Sequence, residues 1–237
     1  VSGTTGQSKR LEAVQIRLTG QMAEKYDIYY RVHAQSYGWL GWAKNGAPAG
    51  TAGYAKRLEA IQILLRRKGG REPGSSFGAY RHSLIQYATH VQSYGWQGNV
   101  KDGSMSGTTG KAKRLEGIRI GLCDQDYTGN VEYRTHVQTY GWEKNWTKNG
   151  GVSGTTGQSK RLEAIQIRLT GQMAEKYDIY YQVHAQSYGW LDWAKNGAPA
   201  GTAGYAKRLE GIRIRLVAKG GSAPGSTRNP YISRTGI

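Results

Sequence analysis

The sequence predicts an all-β protein, organised as a β-trefoil-like module with threefold pseudosymmetry; a β-prism of three sheets is the alternative architecture. Three observations carry that expectation. A Gly-Thr-Thr-Gly or Gly-Thr-Ala-Gly quartet starts at Gly3, Gly50, Gly107, Gly154 and Gly201, with separations of 47, 57, 47 and 47 residues. Apolar and polar residues alternate in two runs of each unit, the period of a half-buried strand. The 35 glycines and 17 tyrosines, against a single Phe, favour tight turns and pleated surfaces over helices.

The first alternating run of a unit is typified by Val131 to Trp142, "VEYRTHVQTYGW", which is rich in Val, Tyr and Thr. A Gly-rich stretch follows. The second run is typified by Lys160 to Leu169, "KRLEAIQIRL", where Ile165, Ile167 and Leu169 alternate with polar residues. Its residue types also suit a helix, but the glycines around it and the Ile-x-Ile-x-Leu spacing favour a strand. The quartets are read as hairpin turns that need positive φ. They resemble phosphate loops only superficially, because the Lys-Ser/Thr ending and the following helix are missing.

Residues 1–70 recur almost letter for letter at 152–221. The one long spacing contains "KGGREPGSSFGAY" from Lys68 to Tyr80, and "KGGSAPGS" from Lys219 echoes it. Such Gly-, Ser- and Pro-containing stretches read as linkers. The expected organisation is therefore a partial module over 1–68, a linker over 69–79, a complete three-repeat module over 80–218 and a linker or tail over 219–237. One unit is too small to bury a core alone, whereas three are not. A linear solenoid gives no reason for a linker after every third unit.

Lys and Arg total 33 against 16 Asp and Glu, a net charge of +17, which suits a polyanionic partner. Cys123 is the lone cysteine, so no internal disulfide forms. No run approaches the roughly 18 apolar residues of a membrane helix, and membrane insertion is not expected. The chain opens in mid-pattern with no signal peptide and reads as a piece of something longer.

Three ordered sub-motifs recur: His-x-Gln-x-Tyr-Gly-Trp, then Gly-Thr-Thr/Ala-Gly, then Arg-Leu-Glu-Ala/Gly-Ile/Val. In this order and spacing the chain resembles the ChW repeats, clostridial hydrophobic repeats with a central Trp. The resemblance covers nearly everything but the linkers and tail. It implies a secreted or surface-displayed protein of a Gram-positive bacterium, and a role in binding wall polymers, glycans or other surface proteins. It does not define a ligand.

Each candidate site has a structural alternative. The pairs His33/Gln35, His90/Gln92, His136/Gln138 and His184/Gln186 place His and Gln on one strand face. They are read as a repeated structural hydrogen bond, with ligand contact second. Trp39, Trp96, Trp142 and Trp190 are read as core pieces, with sugar stacking second. Trp42, Trp146 and Trp193 follow irregularly and are absent from the second unit; beside Lys44, Lys148 and Lys195 they form a candidate platform for a charged glycan. The alternative is that they cover a loop or fill a seam. Tyr94, Tyr140 and Tyr188 join the candidate ligand surface. The Arg-Leu-Glu pairs (Arg10/Glu12, Arg57/Glu59, Arg114/Glu116, Arg161/Glu163 and Arg208/Glu210) are expected to pair with neighbouring units.

No metal pattern, nucleophile elbow or pair of acids suggests catalysis, and neither a cofactor nor a metal is expected. The expected function is a non-catalytic module that binds cell-wall polysaccharide, teichoic acid or a surface glycan multivalently. A protein-binding adhesion or scaffold array is the second reading. Nucleic-acid binding is the third; it rests on the charge and the tyrosine content. Oligomerisation through the incomplete N-terminal module is a further expectation.

Overall fold

The computed structural model describes residues 2–76, 78–123, 125 and 127–234. Val1, Phe77 and 235–237, which fall in segments named above, lie outside the described residues. The described chain is all-β apart from two six-residue helices, Gly20–Lys25 and Gly171–Lys176. Its strands form five sheets, and none closes into a barrel. Two compact units divide the chain, Val1–Ser83 and Leu84–Ile237.

The second unit holds three repeats. Each contributes an opening strand (Ile85–Val91, Val131–Val137 or Tyr177–Ala185) and a closing strand (Leu115–Leu122, Leu162–Leu169 or Leu209–Ala218). Within a repeat the two pair antiparallel, as the alternation predicts. Every hairpin carries a β-bulge where the Arg-Leu-Glu triplet passes the His. The bulged residue is the Glu, since His136 opposes Ala164 and Val137 opposes Leu162. A bulge turns its residue out of the ladder and re-aims the side chain. That matters for the site below.

The quartets are not hairpin turns. Each starts in positive φ, as expected, but those at Gly50, Gly107, Gly154 and Gly201 form short strands laid against the closing strand of a different repeat. Gly154 pairs with Gly117, Gly201 with Ala164, and Gly107 with Gly211. The first repeat thus leans on the third, the second on the first, and the third on the second. This is a closed cycle of three. Close approach explains the glycine: a Cβ on Gly201 would sit 2.4 Å from the Glu163 carbonyl, at φ +121°. Gly201→Ala is expected to destabilise the second unit by about 2–4 kcal/mol in urea unfolding, through steric overlap and backbone strain. Gly157, at φ +71° with nothing near its Cβ, should lose only about 1 kcal/mol on the same change.

The core lies inside this cycle. Tyr87, Tyr133 and Tyr181 are almost wholly buried, together with Ile120, Ile167, Ile214 and the Val residues of the opening strands. Each such aliphatic side chain contributes roughly 1.5–3 kcal/mol relative to exposure. The tyrosines key one repeat to the next. Each hydroxyl donates to a carbonyl in its own repeat: Ser104, Gly151 (2.5 Å) and Ala198 respectively. Each also accepts a backbone N–H from the neighbouring closing strand: Ile214 at 3.0 Å, Ile120 at 3.0 Å and Ile167 at 3.1 Å. Both polar needs of a buried phenol are met at a seam between repeats.

The segments expected as linkers are packed. Gly74 and Gly225 sit against the indoles of Trp42 and Trp193, where a Cβ would come within 3.1 Å of the ring nitrogen. The backbone N–H groups of Trp42 and Trp193 donate to the Ser75 and Ser226 carbonyls. Beyond them, Tyr80–His82 and Tyr231–Ser233 add parallel strands to Ala49–Ala52 and Ala200–Ala203.

The first unit repeats this plan in part. Tyr26–Ala34 pairs with Leu58–Arg67, and Ala13–Val14 pairs with the Ala49–Ala52 strand. Its core comprises Ile28, Tyr30, Val32, Ala34, Leu40, Ala43 and Ala49.

Candidate functional site

The candidate site is the turn after each opening strand, with the closing strand beside it. In His-x-Gln-x-Tyr-Gly-Trp the residue before Tyr has left-handed backbone in all four copies: Ser36, Ser93, Thr139 and Ser187, at φ +66° to +70°. Left-handed backbone costs a residue with a Cβ about 1–2 kcal/mol, most for a β-branched one such as Thr139. The Gly that follows Tyr is also left-handed, at +70° to +73°. This pair of kinks drives the tyrosine outward. Tyr94, Tyr140 and Tyr188 are 50, 63 and 39% exposed.

The Y-G-W tryptophans are not core. Trp39 is exposed, and Trp96, Trp142 and Trp190 are half-buried. The interior is already filled by the tyrosines and aliphatics of the opening strands, so the indole lies at the rim. Each indole meets its His edge-on, at 5.5–5.6 Å between ring centres. Each also has an arginine over its face. Arg119 lies 4.2 Å from the Trp96 ring centre, Arg134 5.5 Å from Trp142, Arg213 4.5 Å from Trp190 and Arg31 5.0 Å from Trp39.

Those arginines do not occupy one alignment column. Arg119 and Arg213 are on closing strands, whereas Arg134 and Arg31 are on opening strands. All four hold the same cross-strand position, opposite Ala88, Gln182, Gln166 and Gln62. One arginine per repeat is kept over the Trp whichever strand supplies it, a regularity that appears only when the strands are paired. A lysine completes the cluster. Lys113 and Lys160 lie 5.7 and 5.5 Å from the ring centres of Tyr94 and Tyr140. Lys113, Lys160 and Lys207 also donate to Ser93, Thr139 and Ser187 at 3.3, 3.1 and 3.1 Å.

Beneath the indole lies a structural triad. The Arg-Leu-Glu glutamate, turned out by the bulge, accepts from its own arginine and faces the His of its own repeat. For Glu163 the distances are 2.7 Å to Arg161 and 3.1 Å to His136 Nδ1; Glu59, Glu116 and Glu210 repeat the arrangement. The pairing is therefore within a repeat and not with a neighbouring unit, because the bulge aims Glu along its own hairpin. Burial by itself would raise the Glu163 pKa; the contacts with His136 and Arg161 outweigh it and hold the carboxyl below the usual range. Of the glutamines, Gln35, Gln92, Gln138 and Gln186 continue the hairpin by donating their backbone N–H to the Arg carbonyls.

The predicted Trp–Lys platform is not assembled. Trp42 is buried under the Pro73–Ser75 segment. Trp193 is half-buried under the corresponding stretch. Trp146 is half-buried between Arg134 and Arg168, at 5.0 and 4.0 Å. Lys44, Lys148 and Lys195 are spent on buried acids: Asp27 at 3.0 Å, Glu132 at 3.2 Å and Asp178 at 3.0 Å. A buried carboxylate needs a counter-charge, so these lysines are claimed by the fold.

Asp178 shows how such a node is held. It accepts from Asn196 at 2.7 Å and pairs with Lys195 and Lys219 at 3.0 Å each. Burial pushes its pKa up, but these three partners outweigh burial and leave it well below the usual carboxylate range. A carboxyl depressed in the folded state stabilises above its unfolded pKa, about 4, and loses that contribution as pH falls through its folded value. The urea midpoint is therefore expected to drop from about pH 5 toward pH 2, and Asp178→Asn to flatten part of that slope.

Among the described residues no group of His, Cys, Asp or Glu is arranged to hold a metal ion, and no helix is long and apolar enough to cross a membrane. The fold and these turns define a class: an all-β tandem-repeat protein that sets an aromatic and basic rim on every repeat. The Clostridial hydrophobic W (ChW) family model matches residues 1–20, 33–67, 90–123, 136–171 and 184–218. The chain belongs to the ChW family. No curated protein and no solved structure matches it.

Proposed function

We propose that the protein is a non-catalytic binding module for an acidic cell-wall polymer or surface glycan, acting at the cell surface or after secretion. The carrying observation is the cluster of exposed Tyr, half-buried Trp, Arg over the indole and Lys beside Tyr, present once per repeat in the second unit. An indole face suits the apolar face of a pyranose, and arginine beside it suits a carboxylate or phosphate on the same polymer. Three such rims on one closed cycle give a multivalent surface, and avidity compensates for weak single sites. The cyclic pairing of three repeats also supports a trefoil-type arrangement. ChW repeats are often found in surface proteins, which fits this location.

The test is retention on purified Gram-positive cell walls, with and without teichoic acid. Retention on the intact wall that weakens when teichoic acid is removed supports the acidic-polymer reading. Equal retention on both assigns the site to the glycan strands, and retention on neither rules the function out.

A further inference from the structure

The two copies of one sequence are folded to different extents, and the difference defines a docking surface. Residues 161–169 and 10–18 differ only at Ile165 and Val14. The former make the eight-residue strand Leu162–Leu169, while the latter keep only Ala13–Val14. The closing strands diverge in burial. Ile212 and Ile214 are 1 and 0% exposed, whereas their counterparts Ile61 and Ile63 are 45 and 50% exposed, with Leu65 at 50%. In the second unit these positions are covered by a defined partner. Ile85–Val91 supplies Tyr87, whose hydroxyl takes the Ile214 N–H; Ser106–Gly107 pairs with Ile212 and Gly211; and Val131–Val137 pairs with Leu162–Leu169.

We infer that the face made by Ile61, Ile63, Leu65 and the 10–18 edge is a docking surface for one further ChW repeat together with the opening strand of the next. The repeat's Tyr hydroxyl meets the Ile63 N–H, and its short strand runs along Ala60.

The pairing pattern also selects which kind of repeat fits. Closing strands that carry Ala, at Ala13 and Ala164, are paired with Ala-Gly-Thr-Ala strands, Ala49–Ala52 and Ala200–Ala203. Closing strands that carry Gly, at Gly117 and Gly211, are paired with Ser153–Gly154 and Ser106–Gly107. A Cβ on Gly211 or Gly117 would lie 3.1 or 3.2 Å from a Thr carbonyl of that Ser-Gly strand. The Ser also bonds a Thr on its own opening strand, Thr89 at 2.9 Å or Thr135 at 3.1 Å, where the Ala-type repeats have Val32 and Val183. Ala60 occupies the Gly211 position. The docking face therefore prefers an Ala-Gly-Thr-Ala repeat over one like residues 84–122.

The test places an additional copy of residues 80–151 ahead of residue 1 of the full chain, in two versions. One is unaltered; the other carries Thr89→Val, Ser106→Ala and Thr109→Ala in the added copy. Amide exchange over 59–67 is expected to slow by about tenfold or more in the altered version. The unaltered version should protect at least about fivefold less, because of the close contact at Ala60. Ala60→Gly should remove that difference. Ile63→Asp, on a face already exposed, should abolish the protection and leave residues 84–234 unchanged. Unchanged exchange over 59–67 in both versions overturns the docking surface. So does self-association of the parent chain that protects the same amides with no repeat added.

Discussion

Tyr181→Phe is expected to destabilise the second unit by about 2–4 kcal/mol, an effect far beyond the loss of one oxygen atom. The hydroxyl donates to the Ala198 carbonyl and accepts the Ile167 N–H at 3.1 Å, and the side chain is wholly buried. Phenylalanine fills the same space but leaves the buried Ile167 N–H without a partner, worth about 1–3 kcal/mol, and removes the donor to the exposed Ala198 carbonyl, worth about 0.5–1.5 kcal/mol. The Ile167 N–H belongs to another repeat, so the damage falls on the seam that closes the cycle. Tyr133→Phe and Tyr87→Phe should behave alike, since their hydroxyls make the same two contacts. Urea unfolding of the three variants checks this; Tyr140→Phe, on an exposed ring, is the control and should shift stability by no more than about 0.5 kcal/mol. Phe variants as stable as the parent would remove the tyrosine seams as the basis of closure.

Replacing Trp96, Trp142 and Trp190 together with alanine is expected to reduce wall binding by about 100-fold or more, while each single change reduces it by about tenfold or less. The disparity follows from three weak, linked sites: losing one leaves two, and losing all removes the apolar platform everywhere. The indoles sit at the rim, so the triple variant keeps the buried Tyr and Ile core and should retain its strand content by circular dichroism. Arg119→Ala, Arg134→Ala and Arg213→Ala should weaken binding and reduce its salt dependence, whereas Lys195→Ala should act on stability through Asp178. Binding by the triple Trp variant equal to that of the parent would take the rim out of the function.

The sequence by itself determined the β class, the repeat lengths and the strands within each unit. Those properties are written in short-range pattern: alternation of Ile165, Ile167 and Leu169 is a property of neighbours, and so is the glycine needed for positive φ. The spacing of five quartets also suggested a grouping by threes, and three repeats do pair cyclically in the second unit. Whether a residue such as Trp142 faces core or rim depends on what else fills the interior, and Tyr133 and Ile167 had filled it. The lysines beside the irregular tryptophans looked free because Asp27, Glu132 and Asp178 are distant in sequence, and only strand pairing brings acid and base together. Arg119 and Arg134 lie in different alignment columns, so their shared place over an indole exists only across paired strands. Folding likewise decided the unequal fates of residues 10–18 and 161–169: near-identical sequence becomes a full strand only where a partner strand supplies its hydrogen bonds.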